Sequence, residues 1–263
     1  MKNLDWRARL RRIAYRVSPA ATTTLLSMRS RRLSHRLVRR WGLPRLTDLL
    51  VQRDGLVVSG GPFRGLRLPA GARREHLAPF LLGTYESELH PWLEEVRRKD
   101  FRQIIDIGAK FGYYALGLAR WFPDAESLAF DTDPWARRLI RVAARENGLA
   151  SVRACGYLTP STLRARLRPP AFIFSDCEGF EAQLFPAIDP GELATSWLLI
   201  ELHETAAPGV ERMLIAHFAP THEVEVVDRA ERVPEERLVE RLGAADAELA
   251  VKEFRGDQRW LLA

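Results

Sequence analysis

The stretch Gln103-Ile104-Ile105-Asp106-Ile107-Gly108-Ala109-Lys110-Phe111-Gly112 decides the fold: an apolar, β-branched run carrying one acid breaks at a glycine and passes into a helix-patterned stretch over 111–121. Downstream, strand-like runs at 127–130, 151–154, 171–175, 197–202, 223–227 and 258–262 alternate with helix-like stretches at 133–147, 161–167, 180–185, 209–218 and 235–242. The first of these later helices is the best punctuated, with Asp133 placed to cap it, Pro134 at its first position and Asn147-Gly148 to stop it. Such alternation predicts an α/β fold whose right-handed crossovers build a mostly parallel sheet covered by helices on both faces. Upstream, Leu89, Trp92, Leu93 and Val96 predict a helix over 86–99. Short runs at 56–58 and 66–68 flank Gly60-Gly61-Pro62 and predict a hairpin serving as a lid or edge. The expected division is an N-terminal extension of short helices and a hairpin over 1–84, followed by the α/β body over 85–263.

The 263 residues, 46% of them hydrophobic and 28% charged, fit one globular core with an appendage. The two cysteines, Cys155 and Cys177, are too few for a disulfide framework and lack metal-ligand spacing, so a reducing cytoplasm is the expected location. The longest stretch without a charged residue, Val17 to Met28, has 12 residues and cannot span a bilayer. No apolar run near the N-terminus leads into a small-residue cleavage pattern, so no secretory signal is expected. Residues 1–41 carry twelve Lys or Arg against one acid, Asp5, a net of +11 that leaves −5 for the other 222 residues of a chain whose total is +6. Such an arm suits an anionic surface, which would give the protein a peripheral position on a membrane, and it reads as separate from any cofactor site. It also has the composition of a mitochondrial transit peptide. Only four of the forty basic residues are lysines, so a general arginine bias accounts for part of the charge.

In a parallel sheet, ligands bind beyond the carboxyl ends of the strands, and those ends carry the candidates. The loop after Asp106 has glycines at Gly108 and Gly112, a G-x-x-x-G spacing rather than the G-x-G-x-x-G of nicotinamide-binding loops. An acid before the first glycine would repel a pyrophosphate but accept an ammonium group, which suits S-adenosylmethionine better than a dinucleotide. Asp131 ends the next strand, 25 residues after Asp106, where a carboxylate can take both ribose hydroxyls. Cys155, at the end of the third strand, marks a place for the adenine ring. The fourth strand ends in Asp176-Cys177-Glu178-Gly179-Phe180-Glu181 and the fifth in Glu201-Leu202-His203-Glu204. Strand alternation turns Glu201 and His203 to one side. Asp176, Glu178, Glu201 and His203 are thus the candidate catalytic set, with His203 near its ordinary pKa of about 6.5 as base and Asp176 or Glu178 orienting it or the substrate. The same oxygens could hold a divalent cation, although no spacing commits them to one.

Tyr85-Glu86, the run from Ile105 to Tyr114, Ala129-Phe130-Asp131-Thr132-Asp133-Pro134, and the D-x-E-G-x-E run of Asp176 to Glu181 together resemble the FkbM-type branch of class I S-adenosylmethionine-dependent methyltransferases. The resemblance covers roughly Tyr85 to His203. It implies a Rossmann-like, seven-stranded sheet with a terminal antiparallel strand, and methyl transfer to an oxygen of a sugar or small natural product. It further implies that Asp106, Gly108, Ala109 and Gly112 line the methionine end, Asp131 the ribose, and Asp176 the boundary with substrate. Lys110 stands where the family usually has a short polar residue, and Asp131 where it has a glutamate. The competing reading is an inactive cofactor-binding scaffold that recruits an anionic partner through its arm. The acidic body and the lack of an aromatic base-flipping motif argue against a nucleic-acid substrate. The acceptor and the oligomeric state are not legible.

Overall fold

A computed structural model describes residues 17–254, 256 and 259–263. The N-terminal part contains helices α1 (Pro19–Arg40), α2 (Leu43–Asp54), α3 (Ala78–Leu82) and α4 (His90–Val96). The body follows as β1 (Gln103–Ile107), α5 (Tyr113–Trp121), β2 (Glu126–Phe130), α6 (Pro134–Glu146), β3 (Val152–Cys155), α7 (Pro160–Arg166) and β4 (Ala171–Ser175). It continues through α8 (Glu181–Leu184), α9 (Pro190–Leu193), β5 (Trp197–Leu202), α10 (Val210–Phe218), β6 (Glu225–Asp228), α11 (Glu236–Leu242), α12 (Ala244–Val251) and β7 (Arg259–Leu262).

These strands form one seven-stranded sheet in the order β3-β2-β1-β4-β5-β7-β6, the Rossmann-like arrangement expected. β7 pairs antiparallel with both β5 and β6, while β3, β2, β1, β4 and β5 are mutually parallel. β1 and β4 are buried along their whole length because helices cover both faces. Alternate side chains feed two cores: Ile104, Phe172, Phe174 and Leu199 pack on one side, and Ile105, Ile173, Leu198 and Ile200 on the other. Strand order reverses between β1 and β4, so the cleft for a ligand opens above these two strands.

The extension belongs to this core. Leu43, Leu46, Leu50, Val58, Phe63 and Leu66 are buried in the same cluster as Phe172 and Leu199, so no packing break falls at 84/85. Phe63 sits against Gly117 of α5, where a Cβ would lie 2.3 Å from its ring. The expected hairpin reduces to one antiparallel bridge, Val57 to Arg67, with Val58 N–H donating to the Leu66 carbonyl. Val58, Leu66 and Leu68 are buried with Phe63 in the main core cluster. The helix expected over 86–99 is shorter: after Glu86, at a left-handed φ of 49°, a 3-10 turn (Ser87–Leu89) runs directly into α4. The arm holds a continuous helix of 22 residues, α1, instead of short ones. Residues 1–16 of the arm, and Gln258 of the expected last strand, lie outside the described residues.

Candidate active site

At the end of β1 the chain turns on Gly108, with φ 89°, and its backbone passes so close to the β4 loop that a Cβ would lie 1.7 Å from the Asp176 carbonyl oxygen. This approach joins the two strand ends into one floor. Asp106 is buried there, and its Oδ2 accepts from the Ala115 N–H at 2.9 Å while Oδ1 has no hydrogen-bond partner among the described residues. Burial pushes its pKa well above the ordinary value, and the Ala115 N–H only partly counters this. A cation brought to Oδ1 would satisfy the orphaned acceptor. The hollow beside it, of about 30 Å³, is lined by Asp106, Gly108, Asp176, Tyr85, Tyr114 and Phe174. That is room for a water molecule within the hollow itself, which is open to solvent on one side.

Asp131, just beyond β2, accepts from the Lys110 N–H at 2.8 Å and the Asp133 N–H at 2.7 Å. Burial lifts its pKa to about 6 against the pull of these two donors. Asp133 caps α6 through the Trp135 N–H, as its spacing predicts. Ala109, also expected at the methionine end, lines the hollow, and Gly112 precedes α5 at φ 92°. Cys155 ends β3, where its carbonyl accepts from the Asp131 N–H. Its thiol is engaged by Arg166, 3.5 Å away, and does not line the hollow. Lys110 lines the same hollow, and its Nζ lies 3.7 Å from Glu75 and near the Phe80 and Phe111 rings.

His203 is buried among acids. Its Nδ1 and its backbone N–H both lie 3.0 Å from Glu181 Oε1. Its Nε2 lies 3.4 Å from Asp176, 3.7 Å from Glu201 and 3.9 Å from Glu178. Burial alone would lower the imidazole pKa, but contacts with Asp176 and Glu181 outweigh it and raise the value to about 10. The expectation of an ordinary His203 is therefore corrected: its resting form at neutral pH is imidazolium. Of the two acids expected to orient it or the substrate, Asp176 lies beside Nε2 while the Glu178 side chain is 90% exposed, and the group on Nδ1 is Glu181, fully buried and not among those expected. Burial is the largest single influence on Asp176 and raises its pKa, but the contacts with His203 and Glu201 and the Lys110 charge together lower it below the ordinary value, so Asp176 is the ionised acid. Burial and the Asp176 charge push Glu201 well above its ordinary value, which favours its protonated form. Asp176, Glu178 and His203 bring ligand atoms within 4.8 Å of one another, a geometry that could also hold a cation.

Two further features of the site have no role in the sequence reading, the first being Glu86, quoted there only beside Tyr85. Glu86 accepts from the Tyr114 hydroxyl at 2.5 Å and lies in reach of Asp176 and Glu201. Its turn is fixed by its own N–H donating to Glu253, which also receives Arg232. The other is the partnership of α1 with the cofactor loops. Arg31 meets Asp133 at 2.9 Å, two residues beyond Asp131, and His35 meets Glu75, the partner of Lys110, at 2.6 Å. The arm is thus tied to the cofactor end, contrary to the separation expected of it. Deleting residues 1–41 should leave Asp133 and Glu75 without these partners, a loss of about 1–3 kcal/mol for each. A melting temperature lower by roughly 4 °C or more is expected in calorimetry, with weaker cofactor binding. An unchanged melting temperature would make the arm dispensable to the body.

No family model matches the chain. The release factor glutamine methyltransferase of Deinococcus radiodurans is 39% identical over 87 residues, 32% of this chain and 29% of that protein's length. Among solved structures, precorrin-6y C5,15-methyltransferase from Geobacter metallireducens is 16% identical with a TM-score of 0.46, covering 65% of this chain and 82% of that one. An O-methyltransferase of tomaymycin synthesis from Streptomyces achromogenes, solved with S-adenosylmethionine, is 17% identical with a TM-score of 0.45, covering 69% and 80%.

Proposed function

We propose that this chain is an S-adenosylmethionine-dependent methyltransferase of the FkbM-type branch that methylates a hydroxyl oxygen of a sugar or small natural product. The observation that carries the reading is Asp106: a buried carboxyl with one oxygen left without a hydrogen bond, at the floor of a hollow walled by aromatic rings. An ammonium group satisfies that oxygen, and the ring faces suit a neighbouring sulfonium. The cofactor, when bound, supplies an electrophilic methyl group. Asp131 offers its remaining lone pairs to the ribose hydroxyls, and the glycine turn at Gly108 keeps the backbone clear of the ligand. Asp176, held ionised by His203, accepts the hydrogen bond of the acceptor hydroxyl and orients its oxygen. His203, once it has lost its proton, takes the hydroxyl proton at Nε2, and Glu181 fixes the ring through Nδ1. No step requires a metal ion.

Titration calorimetry with S-adenosylmethionine and with NAD tests this reading. Binding of the first and not the second is expected, and the reverse preference would overturn it. Asp131→Ala should weaken S-adenosylmethionine binding by about 1–3 kcal/mol, the cost of leaving polar groups unpaired. Because protonation near pH 6 removes the acceptor that the ribose needs, affinity should also fall as pH drops below 6, by roughly tenfold per unit. Asp131→Asn should lose that dependence. Equal affinity in wild type and Asp131→Ala would remove Asp131 from the site.

A further inference from the structure

We propose that the outer face of α1 docks on an anionic lipid bilayer. Contacts with the body fix which way this helix faces. Arg31 and His35 point inward, Arg31 onto Asp133 and the Trp135 ring and His35 onto Glu75, and Val38 is buried. The opposite side is left to solvent, and two kinds of residue share it. Arg29, Arg32, Arg36 and Arg40 are exposed, and α1 contains no acid to neutralise them. Leu25 and Leu33 are 68% and 59% exposed, and Leu33, Leu37 and Trp41 follow at steps of four along one line beside the arginines. Trp41 stacks on Phe254 with ring centroids 5.0 Å apart, and both rings stay open to solvent at 48% and 40% exposure. Lys252 lies 5.6 Å from the Phe254 ring, so this aromatic pair too is bordered by a cation.

A run of leucines in water beside an aromatic pair is costly unless something covers it, and the charge beside it selects what that is. A bilayer rich in anionic lipid receives both sets. Its phosphates meet the arginines, its acyl boundary takes the leucines, and Trp41 sits at the headgroup level. A nucleic-acid backbone would engage the arginines and leave the leucine line in water. No described helix is long and apolar enough to cross a membrane, and the arginines hold α1 in the plane of the surface.

The full chain should co-sediment with vesicles of equal parts phosphatidylglycerol and phosphatidylcholine and stay in the supernatant with phosphatidylcholine alone. Leu25→Glu with Leu33→Glu, both at solvent-open positions, should abolish binding at an unchanged melting temperature. Arg32→Ala with Arg36→Ala should lower the partition coefficient roughly thirtyfold, and it serves as the second variant if the leucine pair unfolds. Failure of the wild-type chain to bind the mixed vesicles, or vesicle binding that survives the leucine changes, would overturn the proposal. So would duplex DNA that binds wild type and the leucine variant alike and displaces the vesicles, since the face would then serve its arginines alone.

Discussion

Gly108→Ala is expected to lower stability by roughly 3 kcal/mol or more and to abolish cofactor binding in whatever protein remains folded. Two costs add. A φ of 89° is strained for a residue with a Cβ, at about 1–2 kcal/mol. The new Cβ would then stand 1.7 Å from the Asp176 carbonyl oxygen, a backbone atom that no rotamer change can remove. That segment is pinned because the Asp176 N–H donates to the Ile107 carbonyl at 2.9 Å, so relief requires spreading β1 from β4, and overpacking of this kind costs about 1–3 kcal/mol. Spreading the two strands also moves Asp106 from Asp176 and opens the floor of the hollow. Gly148→Ala is the control, since φ is 69° there but a Cβ meets nothing within 4 Å. It should cost about 1 kcal/mol and leave the cofactor affinity intact. Similar melting temperatures for the two variants would mean that the strand ends can part without consequence.

The parts of this architecture that were legible in the sequence are those set by local pattern. The four parallel strands β1, β2, β4 and β5 appear as short apolar runs because both their faces are covered, and the capping residues of α6 are contiguous with it. The strand-end acids were legible because a carboxylate has no packing reason to end an apolar run. What was hidden depended on distant partners or on backbone turns. α3 and α9, of five and four residues, are too short to show a helical period. α12 is rich in alanine and shows no contrast between faces. The partners of Arg31 and His35 lie 102 and 40 residues away, so nothing near α1 announces that it touches the cofactor loops. In the D-x-E-G-x-E run the acids look equivalent. The left-handed turns at Glu178, φ 56°, and Gly179, φ 99°, send one glutamate to solvent and bring Glu181 under His203.

His203→Gln should reduce turnover by roughly 10²- to 10⁴-fold, the usual contribution of a positioned base, with cofactor affinity changed by no more than a few-fold. Gln is the informative substitution because it can still donate to the surrounding carboxylates, whereas Ala would leave Glu181 and Asp176 buried without a hydrogen-bond donor. The pH profile separates a base from a structural cation. With a pKa of about 10, the neutral imidazole is a minor form at pH 7, so wild-type turnover should climb by up to tenfold per pH unit and level off near 10. Glu181→Gln keeps a hydrogen-bond acceptor at the ring but removes its charge, so the levelling point should move to lower pH. A purely structural role for Glu181 would reduce stability and leave the profile where it was. The same pKa makes a second demand that needs no acceptor. A group raised in the folded state stabilises fully below its unfolded pKa of about 6.5 and loses that contribution as pH rises through about 10. The melting temperature of the wild-type chain should therefore fall between pH 8 and 10 more steeply than that of His203→Gln. If turnover is flat from pH 6 to 9 while this difference in melting persists, the imidazolium is a counter-charge for the acid cluster. The proton acceptor is then Asp176, which His203 helps to hold ionised and which, unlike Glu181, lines the hollow.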